Sequence, residues 1–155
     1  MYRLARREYV EPPHAPFDGM GAYYGGSRWS SPGRRASFAA SSESLATLEY
    51  LVHANSNRYF HDVVLIVAEV PDSGLEVLRR PLPADWRGTP PPLSTMRLGD
   101  AWLDGKTTPA LIVPSVVVPR ETNVMVNPLH PEADGIRIVA VEPWTPDDRL
   151  RPGET

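Results

Sequence analysis

The chain has no cysteine among its 155 residues. That excludes a disulfide framework, a thiolate nucleophile and any cysteine-based zinc site, and it is the usage expected in a reducing compartment. There is no excess of positive charge, with 16 Lys and Arg against 19 Asp and Glu and a formal net charge of −3. Sequence-independent binding to nucleic acid needs surplus cations to neutralise phosphates, so direct nucleic-acid contact is not expected. No apolar run approaches membrane-spanning length, and MYRLARREYV lacks the continuous apolar core of a signal peptide. The expectation is a cytoplasmic protein with no membrane contact.

Several catalytic signatures are missing too. Gly19, Gly21 and Gly25 resemble a dinucleotide fingerprint, but the third glycine falls one position late and no strand–helix context surrounds them. There is no phosphate-binding P-loop and no G-x-S-x-G elbow. His14, His53, His61 and His130 show no ligand spacing, so no metal is expected.

What is present is a single-domain length with 41% hydrophobic and 23% charged residues, globular values both. Eighteen prolines limit the amount of long helix. A first strand is read at Tyr2-Arg3-Leu4 and an ordered, Pro- and Gly-rich loop from Glu11 to Gly33. A short strand follows near Ser37-Phe38-Ala39. SSESLATLEYLVHA, residues 41–54, reads as a helix capped by Ser41 or Ser42, with Leu45, Leu48, Leu51 and Val52 facing inward and Glu49 at the border of that stripe. Val63 to Val70 reads as a central strand, and Pro81 to Pro92 as a surface excursion. Ser94 to Leu103 reads as a short helix weakened by Gly99. Leu111–Val113 and Val116–Val118 are strand-like on either side of Pro114-Ser115, Asn127-Pro128 signals a turn, and Ile136–Val141 is a last strand. Few helices and several short strands predict an α+β fold around a mixed or antiparallel sheet, in one domain spanning 1–155.

Four polar residues occupy unusual settings. Arg28 stands beside Trp29 inside the rigid loop GGSRWSSPG; by itself the pair reads first as a surface salt bridge with Trp29 in the core, and second as a bidentate grip on phosphate. Arginines also fall in pairs at Arg6-Arg7, Arg34-Arg35 and Arg79-Arg80, which leaves room for a local anion site. Glu49 is a functional carboxylate or a solvated helical one. Ser115 and Asn127 are turn residues or ligands.

Together these residues resemble a known family. Arg28 in GGSRWSSPG, Glu49 in SLATLEYLVH and Ser115 in VPSVVVP match the arginine, glutamate and serine for which RES-domain toxins, the toxin half of bacterial RES–Xre toxin–antitoxin pairs, are named. YRLA, LPADWR (82–87), LGDAWL (98–103), VPSVVVPRETNVMVNPLHP (113–131) and TPDDRL (145–150) extend the resemblance over nearly the whole chain. It implies an ADP-ribosyltransferase-like fold and chemistry on NAD, with Glu49, Arg28 and Ser115 catalytic and Arg3, Arg28, Phe38, Glu49, Ser115 and Asn127 lining the NAD site. Phe38 replaces the family's usual tyrosine and so removes a hydroxyl. Val124, at another frequent aromatic position, is read as structural.

The chemistry agrees with that residue set. Breaking the nicotinamide–ribose bond passes through an oxocarbenium-like transition state that a carboxylate stabilises. Nicotinamide leaves as a neutral group, so neither a strong general acid nor a metal is needed. The resemblance implies ADP-ribose transfer to water or phosphate, depleting NAD; the alternative is mono-ADP-ribosylation of a protein acceptor, and a non-enzymatic module with a decayed pocket is a third. It also implies an Xre-like helix-turn-helix antitoxin that blocks the NAD cleft, and allows a homodimer within a larger assembly.

Overall fold

The computed structural model describes residues 1–12, 14–53, 60–79 and 81–150. Pro13 of the expected loop, the helix end expected at Ala54, Arg80 of the third arginine pair and residues 151–155 of the tail lie outside them.

Among the described residues seven strands form one sheet: β1 (Tyr2–Arg6), β2 (Ser37–Ala40), β3 (Val63–Glu69), β4 (Leu75–Val77), β5 (Ala110–Pro114), β6 (Thr122–Val126) and β7 (Arg137–Trp144). Their order is β4-β5-β6-β2-β1-β3-β7, antiparallel except for the parallel β4–β5 pair. Parallel neighbours need a crossover, and α3 (Leu93–Gly105) supplies it. The helices α1 (Met20–Gly25) and α2 (Glu43–His53) complete an α+β architecture.

The sheet is nearly two sheets. β1 pairs with β3 along five residues but meets β2 only at Tyr2 and Ala40. On one face, α3 and the segment from Trp29 to Ala36 cover Leu111, Val113 and Met125, while α2 covers Ala40 and, through Tyr50, Leu4 and Val63. On the other face, Phe17 packs over Ala5, Val64, Ile66 and the Ala110–Val124–Val126 group.

Several sequence expectations change here. The Glu11–Gly33 segment is not all loop, because α1 forms within it. Val116–Val118 is not a strand: Val118 donates its amide to the Ser115 hydroxyl at 3.0 Å, which turns the chain back towards β6. β6 and β4 were not legible, β6 because Thr122-Asn123 opens it with two polar residues. β3 is buried as expected but sits next to the edge rather than at the sheet's centre. The excursion from Pro81 to Pro92 is not wholly on the surface, since Leu82 and Trp86 pack against the core.

The largest correction concerns α2. Leu45 is fully buried, but Leu48 and Val52 are exposed. The inward stripe runs through Leu45, Ala46, Glu49 and Tyr50, and Tyr50 packs edge-on against Phe60 and Trp144. Glu49 therefore lies within the face turned to the sheet, not at its border.

Candidate active site

The loop from Gly26 to Gly33 presents Arg28. Gly26 and Gly33 hold left-handed φ values of 68° and 88°, which L side chains resist. Between them the Ser27 amide donates to the Ser30 carbonyl at 2.8 Å, and the two hydroxyls lie 2.7 Å apart. Ser31 donates its amide and hydroxyl to the two carboxylate oxygens of Asp100 on α3, at 2.9 and 2.6 Å. Arg34 pairs with Asp100 and Asp104 on the same helix. Trp29 is core: it is 3% exposed and packs with Trp102, Leu111 and Met125. Gly99 is the reason the loop can lie so close, because any side chain there would overlap the carbonyl oxygen of Trp29. Truncating Trp29 to alanine is expected to cost about 3–5 kcal/mol in chemical denaturation, as other buried tryptophans do.

With the loop so fixed, Arg28 turns towards the Trp86–Gly88 segment and donates Nη1 to the carbonyls of Trp86 (2.7 Å) and Gly88 (2.9 Å). Its other N–H groups have no partner among the described residues. Burial pulls the Arg28 pKa below the ordinary arginine value, and the negative charge of Glu49 opposes that pull. The two side chains thus share one electrostatic environment.

Glu49 projects from the inward stripe of α2. Its Oε1 accepts two hydrogen bonds, from Ser115 Oγ at 2.8 Å and from Asn123 Nδ2 at 2.6 Å. Oε2 accepts none among the described residues. The carboxylate is thereby held by one oxygen and presents the other. The helix itself is anchored two turns earlier: Ser42 Oγ accepts from the Leu45 amide at 3.1 Å and donates to Glu121 at 2.7 Å.

Ser115 is completely buried. Its hydroxyl donates to Glu49 and accepts from the Val118 amide, so its bonding capacity is used within the protein. It acts on Glu49 and does not reach solvent. Phe38, on β2, is half-buried in register with Met125, at the margin of the Trp29 cluster.

Two expected residues do not join this group. The pleat of β1 sends Tyr2 and Leu4 towards Tyr50 of α2 and sends Arg3 the other way. There Arg3 donates to the Pro16 carbonyl at 2.5 Å and lies 5.7 Å from the Phe17 ring centre. Burial lowers its pKa, against the opposing charge of Asp18. Asn127 is buried at the other end of β6 from Asn123; it donates to the Leu103 carbonyl at 3.1 Å and accepts from the Leu129 amide at 3.1 Å, closing a turn.

Sequence reasoning missed Asn123 and the Trp86–Gly88 carbonyls. Asn123 could be found once TNVMV is read as a strand, because alternation then puts a polar amide on the same face as fully buried Met125. The carbonyls carry no side-chain signal at all. Among the described residues no three His, Asp or Glu side chains come together to hold a metal, and no helix is long and apolar enough to cross a membrane.

Comparison with known proteins gives a consistent picture. The RES domain family is matched by residues 1–149. The chain is 38% identical over 130 residues to "Toxin Res" of Photorhabdus laumondii, covering 83% of this chain and 81% of that one. It is 40% identical over 136 residues to the "Prs ADP-ribosylating toxin" of a Sphingobium species, covering 85% and 84%. Among solved structures it is similar to the M. tuberculosis MbcT–MbcA toxin–antitoxin complex, with a TM-score of 0.74 and 17% identity over 93% of this chain and 82% of that one, a likeness of fold.

Proposed function

Since the chain belongs to the RES-domain family, we propose that it is a toxin that cleaves the bond between nicotinamide and ribose in NAD and passes ADP-ribose to water or phosphate. The observation that carries this reading is the Glu49 carboxylate, fixed through Oε1 by Ser115 and Asn123, open at Oε2, and sharing its field with Arg28. A preorganised anion of this kind stabilises positive charge developing on a sugar ring without reorganising as it forms.

Each residue has a part. Arg28 offers its remaining N–H groups to the pyrophosphate, while its bonds to Trp86 and Gly88 keep it pointed. Glu49 lies towards the ribose of the scissile bond. Phe38 offers an apolar ring and no hydroxyl. Ser115 holds Glu49 and does not touch substrate. As the C–N bond breaks, its electron pair leaves with neutral nicotinamide. A bond from C1′ to the oxygen of water or phosphate replaces it, and with water one proton is released.

The second reading, ADP-ribosylation of a protein, uses the same donor half of the site and is favoured by the "ADP-ribosylating toxin" named among the relatives. The name toxin in the relatives, and a fold neighbour solved with its antitoxin, support a protein inhibitor for this chain as well. An Xre-like antitoxin covering the cleft, and action on the cytoplasmic NAD pool, belong to the same proposal.

Purified protein free of any inhibitor is incubated with labelled NAD and phosphate, with and without cell lysate. Free ADP-ribose or its phosphorylated form is the expected product. Label on a protein band replaces the first reading by the second, and unchanged NAD overturns both. Arg28→Ala is expected to raise KM for NAD by tenfold or so, about the worth of one lost charge-assisted contact. An unchanged KM removes Arg28 from the pyrophosphate.

A further inference from the structure

Asn123 falls inside the block VPSVVVPRETNVMVNPLHP, and the resemblance gives it no role. We propose that Asn123 is a positioning residue for the reaction: with Ser115 it saturates Glu49 Oε1 and so determines which carboxylate oxygen faces the substrate. The inference deepens the NAD-cleaving reading and rests on it for its catalytic consequence.

The argument starts from the strand. Asn123 is paired with Ala40 of β2 on one side and Val113 of β5 on the other, both buried and neither able to hydrogen-bond through its side chain. A polar amide in that setting needs a partner, and among the described residues Nδ2 has one acceptor, Glu49 Oε1 at 2.6 Å. Its sequence neighbours secure the same helix. Glu121 accepts from Ser42 at the start of α2, and the Ser41 amide donates to the Thr122 carbonyl at 3.0 Å. Residues 115–123 therefore grip α2 at both ends of the stretch that carries Glu49.

The residue type matters. An amide donates without charge, so it orients Glu49 and leaves the carboxylate's negative charge intact for the substrate. A lysine would neutralise that charge, and an aspartate would repel it. One donor alone would let the carboxylate rotate about its terminal bond, a broad torsion with a low barrier. Two donors converging on one oxygen from different elements, a turn after β5 and the strand β6, remove that freedom.

The test uses Asn123→Ala and the near-isosteric Asn123→Asp in the full chain, folding being checked by circular dichroism. A crystal structure of Asn123→Ala should show the Glu49 carboxylate turned from its wild-type orientation or spread over more than one, with α2 in place, and Asn123→Asp, which sets a second carboxylate against Oε1, should displace it further. With NAD, kcat should fall by up to about 100-fold, as small displacements of a catalytic group do, with KM changed by only a few fold. A Glu49 carboxylate that keeps its wild-type orientation overturns the proposal, and so does a raised KM with unchanged kcat, which would make Asn123 a substrate ligand. If Asn123→Ala does not fold, Asn123→Asp decides by the same criteria. Should the wild-type protein leave NAD intact, the NAD reading fails while the orientation of the carboxylate still decides whether Asn123 clamps Glu49.

Discussion

Glu49→Gln is expected to abolish turnover while leaving the fold as it is. Glutamine keeps the length of glutamate and keeps an oxygen for Ser115 and Asn123 to bond, so α2 stays clamped. What disappears is the negative charge and the second carboxylate oxygen. Removing one preorganised group that stabilises transition-state charge typically costs on the order of 10²–10³ in kcat, and loss of a full charge should reach at least the upper end of that range. Steady-state NAD consumption measures the loss, and thermal unfolding shows whether the melting temperature has stayed near that of the wild type. Expression in cells gives a second readout, since a variant without turnover should no longer arrest growth. A Glu49→Gln protein that still consumes NAD at the wild-type rate would remove Glu49 from the chemistry. Glu49→Ala should be equally inactive, but it also leaves the Ser115 hydroxyl and the Asn123 amide without their acceptor, so it is expected to be the less stable of the two.

The second large effect lies away from the chemistry. Gly99→Ala should destabilise the protein and weaken NAD binding together. In isolation the exchange favours a helix by up to about 1 kcal/mol, because glycine is the poorer helix former. Here the new methyl group would overlap the carbonyl oxygen of Trp29, backbone that cannot rotate aside. Either α3 or the Arg28 loop has to move, and forced overpacking of this sort costs about 1–3 kcal/mol or more. In a domain of this size each kcal/mol lowers the melting temperature by roughly 2–4 °C. Because Ser31, Trp29 and Arg28 ride on the same loop, a displaced loop also carries Arg28 away from the Trp86 and Gly88 carbonyls. Gly21→Ala in α1 is the control, since nothing lies within 4 Å of a Cβ placed there. That variant should be as stable as the wild type or slightly more so, with KM for NAD unchanged. If Gly99→Ala behaves like Gly21→Ala, the close approach of α3 and the loop is not what holds Arg28.

Gly99 also shows where local rules mislead. Propensity alone marks it as a weak point of the helix, yet α3 runs without interruption from Leu93 to Gly105. The glycine is there for the loop that crosses it. Leu48 and Val52 of α2 are the counterpart. Helical spacing puts them on one stripe with Leu45, but α2 is rolled so that Tyr50 meets Trp144 and Glu49 meets Ser115 and Asn123. A periodic pattern states that a stripe exists, and side chains from distant elements decide how it is turned.

What the sequence determined by itself was considerable. Zero cysteine, a mild negative charge and 18 prolines narrowed the class of protein, and apolar, β-branched and turn-residue patterning located five of the seven strands and two of the three α-helices among the described residues. Ordered blocks along the whole chain singled out Arg28, Glu49 and Ser115, because those side chains are tied to particular motifs that survive as letters. Only the tertiary structure decided how they meet. Arg28 lies 58 and 60 residues before the carbonyls that aim it, and Glu49 lies 66 and 74 residues before the two donors that hold it. It also showed Ser115 to be buried, and it put Arg3 and Asn127 outside the group. Period and propensity act over a few residues of chain, whereas the site is made by contacts across the sheet. Those contacts depend on the roll of α2, the pleat of β1 and β6, and one glycine that lets a loop lie against a helix.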